Sequence, residues 1–336
     1  MNFTSRTTRL FRNLTLLCVL LAQLTHAQEE RPQAHSTIPA LPAPETAETD
    51  HQSGFWYLST EHSPQNFHRE CPKFCPSVCR WNCGYHRSDF DALLSQIQPE
   101  VPVCIMVHGS FVSPNLASSQ APSVWRWFQS ASRGKQMQMI YFRWPSYRPI
   151  TPTIAFDVNQ LGFRAARNGY YLAELVSRLP EDCPVCLVGH SHGTRVISSA
   201  LHQLSGGCIQ GIRHPWARRN GRRIRAVYSG SAIDHDWLNP GERYDCALNS
   251  VECLLTLTNR LDPALKIYPM RLPVIAHRPL GATGLTDSDR EALGSRAGKV
   301  VECDVTRSIG VRHNHLNYFQ KPSMAMLMHN YLYMVK

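Results

Sequence analysis

Val185-Cys186-Leu187-Val188-Gly189-His190-Ser191-His192-Gly193-Thr194 is the stretch on which the reading of this chain turns. Its first four residues form an apolar run that fits a buried strand. G-x-S-x-G follows, and Val196, Ile197, Ala200, Leu201 and Leu204 then recur at helical spacing. A strand, a sharp turn and a helix are the context that makes G-x-S-x-G specific, because the serine then projects its hydroxyl above the sheet. The glycines are needed where strand and helix backbones pass too close for a β-carbon. Ser191 is therefore the candidate nucleophile. The helix behind it aims its first N–H groups and positive dipole end at developing negative charge.

Outward from this turn, apolar runs at Val101 to Val107, Met137 to Phe142, Val185 to Val188, Ile224 to Tyr228 and Leu254 to Leu257 read as buried strands. Longer helical periods lie between them. The longest follows Ile154, with Val158, Leu161, Ala165, Leu172, Leu175, Val176 and Leu179 on one face. Strands alternating with helices require βαβ crossovers, so the fold class is α/β, a mostly parallel sheet covered by helices on both faces. Trp125, Trp127 and Phe128 are expected to pack one helix on that sheet, and a final helix is expected from Lys321 to Met334.

The 336 residues are 43% hydrophobic and 18% charged, which excludes a disordered, collagen-like or polytopic membrane protein. Residues 1–27 hold Arg6, Arg9 and Arg12, then an apolar stretch from Leu14 to Leu21, then Thr25-His26-Ala27. This is the layout of a secretory signal peptide, too short in its apolar part to span a bilayer. The expectation is an exported protein, periplasmic or extracellular. The formal charge is +10, and removal of the three arginines leaves +7. Residues 28–50 read as a flexible leader, 51–99 as a Cys-rich N-terminal extension opening with an edge strand at Phe55 to Ser59, and 100–336 as the α/β domain. Of the 12 cysteines, Cys71, Cys75, Cys79 and Cys83 form an even ladder. In an oxidising compartment this spacing favours disulfides over the tighter knuckle of a zinc site. Cys246 and Cys253 bracket a loop that a disulfide could close, whereas Cys183 and Cys186 read as small buried strand residues.

Two further segments carry a resemblance. The strand ending at Val107 runs into His108-Gly109-Ser110-Phe111, and a later strand closes with Phe142-Arg143-Trp144-Pro145-Ser146. An HG turn, a W-P-S segment and a G-H-S-x-G elbow resemble the α/β-hydrolase superfamily, and within it a poorly characterised bacterial branch. The resemblance covers about residues 100 to 336 and leaves out the cysteine ladder. It implies the α/β-hydrolase fold, with an oxyanion hole formed by the backbone N–H of Ser110 or Phe111 and that of His192. Trp144 and Tyr147, at a strand end, are candidates to line an acyl or aromatic subsite.

A serine hydroxyl needs a base to take its proton and a carboxylate to orient and stabilise that base. The superfamily's chain order is Ser, then acid, then His. Thr258-Asn259-Arg260-Leu261-Asp262 comes after a strand and resembles the acid loop, which puts Asp262 first and leaves Asp234 and Asp236 as alternatives. For the base, Arg312-His313-Asn314-His315-Leu316 offers two histidines. The family pattern, a histidine with an aromatic or small polar run close behind it, favours His315, with His313 as the alternative. No metal and no cofactor is expected. The implied function is an exported serine hydrolase, esterase- or lipase-like, acting on a small-molecule or lipid ester, or a thioester, through an acyl-enzyme. The rival reading is a non-catalytic binding or surface protein that uses the scaffold, the Cys-rich extension and a basic patch. A further rival makes the cysteine ladder a metal or redox centre. The patch comprises Arg213, Arg218, Arg219, Arg222, Arg223 and Arg225. It reads as a solvated connection with scope for peripheral contact with anionic surfaces, and no nucleic-acid motif accompanies it.

Overall fold

The computed structural model describes residues 54–66, 71–147, 154–215, 221–268 and 277–335. The expected signal peptide and leader lie outside the described residues, as do Arg218 and Arg219. Strands β1 (Phe55–Ser59), β2 (Ser77–Trp81), β3 (Tyr85–Ser88), β4 (Val103–Val107), β5 (Gln138–Arg143) and β6 (Val185–His190) are followed by a small hairpin, β7 (Cys208–Ile209) and β8 (Ile212–Arg213). Then come β9 (Ile224–Ser229), β10 (Cys253–Thr258) and β11 (Val300–Asp304). Apart from the hairpin they form one sheet, in the order β11-β10-β9-β6-β4-β5-β1-β2-β3. From β11 across to β1 every neighbouring pair is parallel, and β2 and β3 are added antiparallel.

The helices are α1 (Phe90–Ser95), α2 (Pro114–Ser130), α3 (Ile154–Arg178), α4 (His192–Leu204), α5 (Pro263–Ile267), α6 (Leu280–Thr283), α7 (Asp287–Leu293), α8 (Thr306–Ile309), α9 (His315–Phe319) and α10 (Pro322–Leu332). Strand side chains alternate between two cores, as the period of two demands. Val103, Ile105, Val107 and Leu187 face one core with Leu161, Leu172 and Leu175 of α3 and Val196 and Ile197 of α4. Cys104, Met106, Cys186 and Val188 face the other with Trp125 and Phe128 of α2 and Met324, Met328 and Leu332 of α10. The chain passes from β4 to β5 on one side and returns to β6 on the other. The loops after β4 and β6 therefore diverge and open a crevice at their carboxyl ends. Both signature turns, 108–111 and 189–193, are at that point.

The five strands expected from the apolar runs are all present, shifted by up to two residues at either end. β11 was not anticipated, because Val300-Val301-Glu302-Cys303-Asp304 is a half-exposed edge without a continuous apolar run. Phe55–Ser59 is an interior strand, not an edge: it is fully sheathed between β5 and β2. The cysteine ladder runs through this annex, with Cys79 in β2 and Cys83 at the β2–β3 turn. All eleven described cysteines are free thiols, and no disulfide occurs among the described residues.

Three arginines of the arginine-rich connection, Arg222, Arg223 and Arg225, are held by groups of the protein itself. Arg222 is buried and donates to the carbonyls of Leu179 and Cys183 at 2.8 and 3.3 Å. Arg223 and Arg225 both grip Glu252, at 2.6 and 2.9 Å, and Arg225 also reaches the carbonyls of Asn330 and Val335 at 2.6 Å.

Helix α4 must lie flat against α3 for the elbow to be held, and one glycine permits it. A β-carbon on Gly169 would overlap the Ser199 side chain and the Val196 carbonyl, while Ser199 Oγ donates across the contact to the Ala166 carbonyl at 2.6 Å. Gly169→Val is therefore expected to lower stability by about 1–3 kcal/mol, read as a shift of the urea midpoint at unchanged m-value.

Candidate active site

Ser191 sits at φ 52°, ψ −128°, between the last residue of β6 and the first of α4. An L-residue rarely adopts that region, and it persists only when its surroundings impose it. Here they do. The Ser191 N–H donates to the Ser229 carbonyl at 3.0 Å, and the Ser191 carbonyl accepts from Thr194 N and Oγ1 at 3.0 and 2.7 Å. A β-carbon on Gly193 would strike the carbonyls of Val107 and His108, and one on Gly109 would lie 2.9 Å from Ser191 Cβ. The elbow and the HG turn are thus in direct backbone contact.

Ser191 Oγ lies 3.0 Å from His313 Nε2, and His313 Nδ1 lies 2.7 Å from Asp262 Oδ2. The carboxylate only accepts, so Nδ1 carries the proton and Nε2 of the neutral ring accepts from the serine hydroxyl. Asp262 is 1% exposed. Its other oxygen, Oδ1, accepts from the amides of Ala264 and Leu265 at 3.0 and 3.2 Å, capping α5. Burial pushes the His313 imidazole down, but the charge and hydrogen bond of Asp262 outweigh it and hold the group above its ordinary 6.5.

The histidine expected as base, His315, is not the one against the serine. Asn314 caps α9, its Oδ1 accepting from Leu316 N at 2.9 Å, so His315 is the first helical residue and turns inward. It is 4% exposed and its Nε2 is buried without a partner. Burial and the positive charge of His313 hold it down at about 4. His313, one residue before the cap, stays on the loop and faces the crevice. Asn314 was the available signal, since an N-cap residue marks where the loop ends.

The competing acids are elsewhere. Asp236 pairs with His277, Asp234 forms a backbone bridge with Pro279, and no hydrogen bond joins either carboxylate to His313. Asp234, Asp236 and His277 have ligand atoms within 4.8 Å of one another, as do His202, Asp245 and Cys246, so among the described residues these are the groups that could hold a metal ion.

Of the oxyanion candidates, the Phe111 amide is engaged by the Ser146 carbonyl at 2.7 Å, with Phe111 at φ 62°. That leaves Ser110 as the donor residue on the HG turn. His192 opens α4, at the helix end where N–H groups point outward. The W-P-S segment braces the turn. Trp144 Nε1 donates to the His108 carbonyl at 2.8 Å, Trp144 N donates to His108 Nε2 at 3.3 Å, and Val112 N donates to Ser146 Oγ at 3.3 Å. Trp144 is completely buried against the His108 ring and lines no subsite, whereas Tyr147 is 40% exposed. Burial holds His108 at about 3, so it stays neutral.

One contributor, Asn259, had no signal in the sequence reading. Asn259 Nδ2 donates to the carbonyls of Gly310 and Arg312 at 2.9 and 3.4 Å, tying the loop that carries Asp262 to the loop that carries His313. His190 packs 4.9 Å from the His313 ring and donates from Nδ1 to Ser229 Oγ at 3.2 Å, the Ser229 hydroxyl itself being donated to the Gly189 carbonyl.

No family model matches the chain, and no curated protein matches it. Among solved structures it is similar to a gene product of Listeria innocua, at 12% identity over 70% of this chain and 95% of that one, with a TM-score of 0.39. A Thermus thermophilus protein is 14% identical over 76% of this chain and 92% of that one, TM-score 0.38. A bacterial heroin esterase is 12% identical over 85% and 87%, TM-score 0.34.

Imidazole titration by NMR is expected to place His313 above 6.5 and to leave His315 neutral down to about 4. In Asp262→Asn the raising charge is gone and burial acts alone, so the His313 midpoint should fall below 6.5.

Proposed function

We propose that this protein is a serine hydrolase that cleaves carboxylic esters, of small molecules or lipids, through an acyl-enzyme. The observation that carries the reading is the unbroken line of hydrogen bonds Ser191–His313–Asp262 at a strained strand-to-helix turn. Ser191 Oγ attacks the ester carbonyl as its proton passes to His313 Nε2, and the buried Asp262 carboxylate stabilises the imidazolium that forms. The oxyanion falls between the HG turn at Ser110 and the start of α4 at His192, whose amides belong to two different chain segments. His313 then gives its proton to the departing alkoxide. Water, activated by the same imidazole, attacks the acyl-serine and restores the enzyme. The steps need no metal and no organic cofactor. The N-terminal segment 1–27 fits export to the periplasm or the exterior, which N-terminal sequencing of the secreted protein tests.

A fluorophosphonate probe should label wild-type protein at Ser191 and leave Ser191→Ala unlabelled. A folded wild type that resists the probe would overturn the reading. On p-nitrophenyl acetate, His313→Ala should lose turnover to a far greater extent than His315→Gln, and the reverse order would remove His313 from the role of base. The base acts when neutral, so kcat/KM should rise with pH through a midpoint above 6.5. Asp262→Asn should move that midpoint down and cut kcat by about 10⁴-fold.

A further inference from the structure

The two residues whose amides face the proposed oxyanion also touch through their side chains. Ser110 Oγ lies 2.6 Å from His192 Nδ1, across the contact between the HG turn and the elbow. The His192 side chain is buried, at 3% exposure for the residue, although it directly follows the half-buried Ser191 at the apex of the turn. Neighbours of the nucleophile in such a turn point away from its hydroxyl. The His192 ring bonds to Ser110, a residue of the HG turn that no bond from the W-P-S segment holds. His108 is fixed by Trp144, and Phe111 is fixed by Ser146. Ser110, between them, is held through its hydroxyl by His192.

This arrangement meets a specific requirement. Two N–H groups on separate segments must converge on a single oxygen that exists only during reaction, and they stabilise it only if their directions are set in advance. Both segments carry positive φ next to the amide concerned, at Phe111 and at Ser191. Backbone in that region relaxes unless it is held. A short hydrogen bond between the side chains of the same two residues couples the two amide directions more directly than any remote packing contact.

We propose that Ser110 and His192 are positioning residues that act as a pair, their side-chain hydrogen bond setting the geometry of the oxyanion site. The inference rests on the serine hydrolase reading and assigns to these side chains a role beyond their amides. The pair bears on the transition state and not on the bound ester. Its removal therefore lowers kcat and leaves KM in place.

The test is a double-mutant cycle on p-nitrophenyl acetate hydrolysis with Ser110→Ala, His192→Ala and the combined variant, each checked for a native thermal transition. Each single change should lower kcat by about 10- to 100-fold, short of the loss of a whole oxyanion donor, with KM little changed. The combined variant should lose no more than the worse single one, because the two side chains act through one bond. Ser110→Thr, which keeps the hydroxyl, should recover most of the loss. Affinity for an alkyl trifluoromethyl ketone, which forms a tetrahedral adduct on the serine, should fall in step with kcat/KM. Additive losses, a change confined to KM, or ketone affinity that stays at the wild-type level would overturn the proposal while leaving the hydrolase reading intact. A wild type that neither reacts with fluorophosphonate nor turns over ester removes the reading itself, and the pair with it.

Discussion

Everything at the crevice depends on how closely two backbones approach. The carbonyls of Val107 and His108 lie where a β-carbon of Gly193 would be, and Ser191 Cβ abuts Gly109. This contact leaves the chain no room to relax between β6 and α4, so Ser191 is kept at φ 52°. The same contact brings the HG turn within reach of Ser191. Helix α4 supplies the counterforce: every residue from His192 to Leu204 is buried, and α3 presses it onto the sheet through Gly169. The strain at one residue is thus maintained by a layer of packing that extends through one whole face of the molecule.

The crevice gathers several imidazoles, and burial and charge give them different states. His108, His190 and His315 are deeply buried with no carboxylate against them, and all three are held in the neutral form. His313 is raised because Asp262 is within hydrogen-bonding distance. A group that charges beside neutral neighbours meets no like charge. The division of labour comes from which imidazole has a carboxylate beside it, and not from which lies nearest in sequence to the serine.

Much of this was legible in the chain. The strands inside the sheet were readable because parallel strands buried on both faces are continuous apolar runs, and Asp262 was readable because it comes after such a run. Ser191 and its turn were equally plain. Three features were not. β11 is a half-exposed edge whose second half is polar or charged, so it shows no run to detect. The choice between His313 and His315 depends on which side of a helix cap each residue falls, and a pattern of aromatic or polar neighbours does not encode that as Asn314 does. The W-P-S segment reads as lining for a subsite, yet its tryptophan is an internal brace whose ring lies under His108. Such a role is visible only once two segments 36 residues apart are brought together.

The annex β1–β3 has a consequence for the sheet as a whole. A parallel sheet that ended at β5 would present an unpaired ladder able to recruit another strand. Here β1 continues the parallel order by one strand, β2 and β3 reverse it, and the outermost strand is four residues long with His86 and Arg87 exposed. At the opposite margin, the Glu302 carboxylate of β11 accepts from Leu285 N and pairs with Arg290, drawing the segment before and within α7 along that side. Both margins are thereby short, charged or covered. The cysteine ladder, threaded through the first of them, belongs to the architecture that terminates the sheet and protects it from edge-to-edge association.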